Sequence, residues 1–201
     1  MTKNDSSKTI LIIVGVIVGV LLIAGIIGGF SLFYLYKIGA SQSPTPTQTK
    51  SSATSQRVPY QNSRYGFALE YPQTFSKQES QNGDGVTLTS SSPAITIRAY
   101  GSPNSQSQTL DEYLNTVRTN LFQEVGNAEE IAATNATLGG LPAQERRWQY
   151  LDSVSGNQTI TDQVTALKGD SFYTLELVIG FSDYSQYAPM FDEILTSFQF
   201  E

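Results

Sequence analysis

From Thr9 to Tyr36 the chain reads TILIIVGVIVGVLLIAGIIGGFSLFYLY, with no charged residue between Lys8 and Lys37. About 20 apolar residues cross a hydrocarbon core roughly 30 Å thick, so this run reads as a transmembrane helix with length to spare for tilt. The expected helix occupies residues 9–37, behind a short polar tail at 1–8, and ties the protein to a membrane through Thr9–Tyr36. Phe30, Phe33, Tyr34 and Tyr36 crowd its C-terminal end, as an interfacial aromatic belt does. Lys3 and Lys8 before the span nearly balance Lys37, Lys50 and Arg57 after it, so charge alone does not set the orientation. The small tail and the secreted-type spacer behind the span favour a single-pass signal anchor in the cell membrane, with the C-terminal part outside the cytoplasm. A cleaved signal peptide has an apolar core of about 7–15 residues, far shorter than this one, and Ile38-Gly39-Ala40 is a poor cleavage site. Gly15/Gly19 and Gly25/Gly29 have the GxxxG spacing of a helix-dimer seam. The two pairs fall on different helix faces, however, and glycine is common in membrane helices.

Residues 38–57 carry Ser, Thr, Gln and two prolines in Ser41–Arg57, with no apolar patch to offset the entropy of ordering. They are expected to be a disordered linker, with a mean reach of roughly 20–25 Å as a flexible coil and a limit near ~50 Å. Residues 58–201 then have the size of one ordinary domain. That domain holds seven Lys and Arg against seventeen Asp and Glu, a net of −10, where the whole chain is −6. A surface of that sign is repelled by phosphates and anionic headgroups, which argues against nucleic acid and against the domain lying flat on a membrane. The chain has neither cysteine nor histidine. Disulfides, thiolate metal sites, cysteine nucleophiles and the usual general base are therefore excluded.

Within the domain, Phe67, Leu69 and Tyr71 alternate with Ala68 and Glu70, the period of a half-buried strand that Pro72 ends. Strands are expected over 86–90 and 94–100. The period then changes at Thr109-Leu110-Asp111-Glu112, a capping box that opens an amphipathic helix with Leu110, Tyr113, Leu114, Val117 and Leu121 on its apolar face. Four strands follow, over 131–138, 142–152, 158–168 and 171–180, as an antiparallel meander with Gly169-Asp170 as a two-residue turn. That turn sets Lys168 opposite Ser171, and so Tyr173, Leu175, Leu177 and Ile179 beside Ala166, Val164, Asp162 and Ile160. A second amphipathic helix is expected over 185–197, with Pro189 in its first turn or two.

Tyr65-Gly66-Phe67 with Tyr71-Pro72, the capped central helix, Gly139-Gly140-Leu141-Pro142-Ala143 leading to Arg147-Trp148, and a terminal helix running into Ser197-Phe198 stand in a recognisable order. In this order the domain resembles the PsbP family of extrinsic photosystem proteins and their bacterial relatives. The resemblance implies an α+β fold, a central antiparallel β-sheet flanked by helices as a PsbP-like α/β/α sandwich, here preceded by a single N-terminal transmembrane helix. It also implies a binding role, since members of that type bind photosystem II and help retain calcium and chloride, while relatives include a Ran-binding protein and bacterial lipoproteins. This chain departs from the photosynthetic members in its anchor and in lacking histidine, and no functional residue carries across.

The remaining chemistry is sparse. A Ser-Lys nucleophile would have to use Lys77 or Lys168, neither of which lies in an S-x-x-K motif. The carboxylate pairs Asp111/Glu112, Glu129/Glu130 and Asp192/Glu193 are adjacent in sequence and read as solvated faces or helix caps. Calcium remains possible through oxygen ligands, although Asn82-Gly83-Asp84-Gly85 lacks the spacing of a calcium loop. Asp162 falls in an apolar row; buried there it needs a partner such as an arginine or an upward pKa shift, and a bulge or shifted register is the simpler reading. Arg146, Arg147 and Trp148 form the one basic aromatic cluster: a core tryptophan with solvated or acid-paired arginines, or else a carboxylate or phosphate contact at the sheet edge. Asn135 and Asn157 lie in glycosylation sequons. The expected function is a membrane-anchored extracytoplasmic module, without catalysis or a required cofactor, that binds a membrane or extracytoplasmic protein. The alternative is a small-ligand, lipid or calcium binding protein of the same fold.

Overall fold

The computed structural model describes residues 56–201. The expected span Thr9–Tyr36, the tail and nearly all of the linker lie outside the described residues, among which no helix is long and apolar enough to cross a membrane. The domain consists of β1 (Arg57–Asn62), β2 (Phe67–Pro72), β3 (Ser76–Glu79), β4 (Gly85–Ser91), β5 (Ala94–Pro103), α1 (Leu110–Val125), β6 (Glu129–Leu138), β7 (Leu141–Leu151), β8 (Gln158–Lys168), β9 (Ser171–Gly180), α2 (Phe181–Ser197) and β10 (Gln199–Phe200). Seven strands form one antiparallel sheet in the order β3-β4-β5-β9-β8-β7-β6, and β1-β2-β10 form a second, small one.

Side chains alternate across the large sheet, and its two faces have different chemistry. One face carries Ile95, Ile97 and Ala99 of β5, Leu175, Leu177 and Ile179 of β9, and Ile160, Val164 and Ala166 of β8, all buried. The small sheet and α2 cover it, contributing Phe67, Leu69, Tyr71, Phe191, Ile194 and Phe198 to one continuous core. Phe67 stacks on Phe198 with ring centres 5.1 Å apart, and Tyr173 meets Phe200 edge-on at 4.8 Å. The opposite face is polar although enclosed: Thr161, Gln163, Thr165, Thr174 and Glu176 are all buried there. Helix α1 lies over it, with Leu114 buried and Tyr113 stacked on Phe172 at 3.9 Å. This arrangement is the expected central antiparallel sheet flanked by helices, with the small sheet as an added layer beside α2.

The capping box is present as read, with Thr109 accepting from the Glu112 N–H and Glu112 accepting from the Thr109 N–H. The β8–β9 register also follows the two-residue turn, from Lys168 opposite Ser171 to Asp162 opposite Leu177. Two expectations need correction. Ladder pairing through Asp162 is continuous, so neither a bulge nor a shifted register explains that residue; the bulge lies in β6, between Glu130 and Ala132. The last helix begins at Phe181 rather than 185, which moves Pro189 from the first turns into the helix interior. Gly180 at its N-cap makes no side-chain cap bond, so that helix start has no capping signature to read.

Candidate functional site

β7 delivers Arg146, Arg147 and Trp148 in immediate succession, and strand alternation therefore splits them. Arg147 joins Glu145 on the α2 side, while Arg146 and Trp148 point to the α1 side. The expected cluster is thus two separate sites on opposite faces of one strand.

On the α2 side, Arg147 stands directly across the ladder from Asp162. Its Nε donates to Asp162 Oδ2 at 3.0 Å, and its Nη2 lies 3.0 Å from the same oxygen and also reaches Glu145. Tyr184, in the first turn of α2, donates its hydroxyl to Asp162 Oδ2 at 2.6 Å, and the guanidinium sits over its ring 4.8 Å from the centre. Asp162 is 3% exposed, and its Oδ1 is buried without a hydrogen-bond partner. Burial, followed by the neighbouring Asp162 charge, pushes the Glu145 carboxyl above its ordinary range against the pull of Arg147. Burial and the bond to Asp162 likewise push the Tyr184 phenol up. Two carboxylates and a phenol thus share one cation in a half-buried setting. The group locks α2 to the sheet and leaves a negative charge at its rim.

On the α1 side, Arg146 binds Glu130 at 2.8 Å and Gln144 at 2.8 Å, and lies 3.8 Å from Asp111 on α1. The flanking arginines are therefore paired with acids, and Trp148 is a core residue, 1% exposed. Its indole N–H and Arg146 Nε are buried without partners. An open, polar hollow of about 240 Å³ is lined by Ala133, Thr134, Asn135, Gln144 and Arg146. No group of three or more acidic side chains among the described residues is arranged to hold a metal ion. In the Asn82–Gly85 loop, the Asp84 carboxylate accepts from the Asn82 side chain at 2.7 Å, the bonding of an ordinary turn.

Further along the polar face, Arg98 pairs with Glu176 across the β5–β9 ladder, Nε to Oε1 at 2.9 Å. Gln163 donates to Thr165 at 2.9 Å, and Thr165 meets Thr174 at 3.1 Å. Burial pushes the Tyr100 and Tyr113 phenols up, and Glu176 holds Arg98 in its charged form. This layer was missed in the sequence. Its signal was Glu176 standing alone between Leu175 and Leu177, a carboxylate that only a facing cation makes tolerable.

Exposed apolar groups gather at one end of the large sheet. Leu151 and Gln158 close the β7–β8 hairpin, Tyr150, Thr159 and Gly180 form the next row, and Phe181 follows Gly180. Leu151 and Phe181 are each 48% exposed, Val154 in the hairpin turn is 82% exposed, and Ile131 at the β6 bulge is 43% exposed.

These layers define a PsbP/Mog1-like α+β fold. It is shared with the cyanobacterial PsbP, CyanoP, of Synechocystis sp. PCC 6803, with a TM-score of 0.56 and 14% identity over 77% of this chain and 98% of that one. It is shared equally with the Ran-binding protein Mog1p of Saccharomyces cerevisiae, with a TM-score of 0.54 and 8% identity over 73% of this chain and 96% of that one. No family model and no curated protein matches the sequence. At such identities the likeness is one of fold, and function has to be argued from this chain's own surfaces.

Proposed function

We propose that the protein is a non-catalytic binding or assembly module, anchored by Thr9–Tyr36 in the cell membrane with its domain outside the cytoplasm, and that its partner is a protein. The observation that carries this reading is the apolar end of the sheet. Single exposed apolar residues are ordinary on any surface, but Ile131, Leu151, Val154 and Phe181, all toward one end of the sheet, have the composition of a contact patch. The fold supports the reading too, since one of its bearers is a Ran-binding protein. A ligand-binding role calls for a deep apolar pocket, and the hollow beside Arg146 is open and polar.

The test is site-specific photo-crosslinking of the full-length protein in its native membrane, with the reactive group at Val154 or Phe181 and, as reference, at Lys77. One membrane or extracytoplasmic protein is expected from the first two positions, and Leu151→Asp should reduce its yield at least tenfold. Equal capture from Lys77, or no reproducible partner, would overturn the proposal. For the topology, protease added to intact cells should remove residues 58–201; protection until the cells are opened would reverse the orientation.

A further inference from the structure

The large sheet ends in two edge strands that differ sharply in chemistry. β3 is short, fully exposed and charged, with Lys77 bound to Glu79 at 2.7 Å. Such charges keep foreign strands away. β6 runs for ten residues, and among the described residues no strand pairs with its outer side. Its charges, Glu129 and Glu130, lie at one end before the bulge. From Ala132 to Leu138, AATNATL, the strand has neither charge nor proline, and Ala133, Thr134, Asn135 and Thr137 are exposed. Nothing along this stretch blunts the edge.

The turn at its end decides which backbone groups are free. Gly139 and Gly140, at φ +57° and +80°, form a two-residue hairpin loop, which makes Leu138 and Leu141 the closing pair that exchanges both hydrogen bonds. Counting back in twos, Ala136 and Thr134 also bond to β7, while Thr137, Asn135 and Ala133 aim their N–H and C=O groups outward. Pro142, opposite Thr137, fits this alternation, since its missing N–H is not needed by β6.

We propose that this edge pairs with the β6 edge of a second copy of the same chain, antiparallel and centred on Asn135. In that register Ala133 faces Thr137 of the second copy, Asn135 faces its own counterpart, and Thr137 faces Ala133. Every outward-aimed residue thus meets another, giving about six new backbone bonds. The charge pattern selects this occupant. Glu129 and Glu130 of each copy fall beyond the paired stretch at opposite ends, so no like charges are opposed, whereas a parallel copy would stack them. The two Asn135 side chains become cross-strand neighbours on the α1 face, over the hollow formed by Ala133, Gln144 and Arg146. Two seven-stranded sheets then become one continuous sheet about a two-fold axis.

The chain contains no cysteine, so a single introduced thiol reports unambiguously. Facing hydrogen-bonded residues lie about 5.5 Å apart at Cα, within reach of a disulfide. Asn135→Cys in the full-length protein in its native membrane should give an oxidised dimer, with Lys77→Cys as reference at least tenfold lower. Adding Thr137→Pro to Asn135→Cys deletes one outward N–H and leaves the β7 ladder whole. It should cut the dimer at least tenfold while the melting temperature stays within about 2 °C. Mass spectrometry should find Asn135 of the native chain without carbohydrate, since a glycan there and a second copy exclude each other. Crosslinking no stronger than at Lys77, insensitivity to Thr137→Pro, a glycan on Asn135, or a dominant crosslink to a different protein would each overturn the proposal.

Discussion

Asp162 sits in a row otherwise made of Ile160, Val164 and Ala166, and Arg147, directly across the ladder, is what makes a carboxylate tolerable there. Removing one member of such a pair leaves the other uncompensated. Asp162→Leu should cost about 3 kcal/mol, the low end for a broken buried pair, because Arg147 keeps some solvent and its contact with Glu145. The double change Asp162→Leu/Arg147→Met should recover most of that loss. Both are read in urea unfolding from the fluorescence of Trp148, the chain's one tryptophan and a buried one. Glu145 behaves in the opposite sense. Its folded pKa lies above the ordinary 4.5, so the native state holds that proton more tightly than the unfolded chain. Its contribution to stability therefore falls as pH rises from about 4.5 through the folded value. Glu145→Gln should raise the melting temperature by about 1–3 °C at pH 7 and change it little at pH 4. The anomaly at Asp162 was visible from alternation alone, and an arginine partner was one of the readings it left open, although a bulge or shifted register was the simpler one. Which arginine was hidden, because that depends on the β7–β8 register, and the loop from Asp152 to Asn157 is too long to set it.

At the scale of elements, legibility followed local chemistry. α1 announces itself through Thr109 and Glu112, and the β8–β9 hairpin through Gly169-Asp170, because each signal is completed within four residues. Helix α2 has no such mark: Gly180 offers no capping side chain, so the first turn, Phe181–Tyr184, was invisible and Pro189 was assigned too near the start. β1, β3 and β10 were missed for a different reason. The four exposed residues of β3 and the two of β10 carry no alternation, and β1 holds Pro59 in its middle; only their partners make them strands. The α1 cap gives a direct prediction. Thr109→Ala should cost about 1 kcal/mol, a fall of roughly 2–4 °C in melting temperature, with the fold otherwise unchanged by circular dichroism.

On the scale of the whole molecule, the acidic balance of residues 58–201 argues against nucleic acid and anionic headgroups as partners, which no single residue could do, and the layer order explains why strands β8 and β9 are enclosed on both sides. The small sheet closes the apolar face only when distant parts of the chain meet. Ser197 Oγ accepts from the Glu70 N–H at 2.9 Å, a contact between residues 127 apart in sequence, and Phe198 and Phe200 pack onto Phe67 and Tyr173 beside it. In terms of synthesis order, the β1–β2 hairpin is the first part of the domain to be made, and Phe67, Leu69 and Tyr71 gain the rest of their cover only when Phe191, Ile194 and Phe198 have followed. A nascent chain stalled before Ser197 should remain protease-sensitive throughout 58–196, and extension through Ser197–Phe200 should convert it to the resistant form in one step. Protection of the early strands in the stalled chain would show that they find their core without β10. A domain that closes this late would still be loose while it is being made, the condition a polypeptide needs if it is to be threaded across a bilayer before it folds.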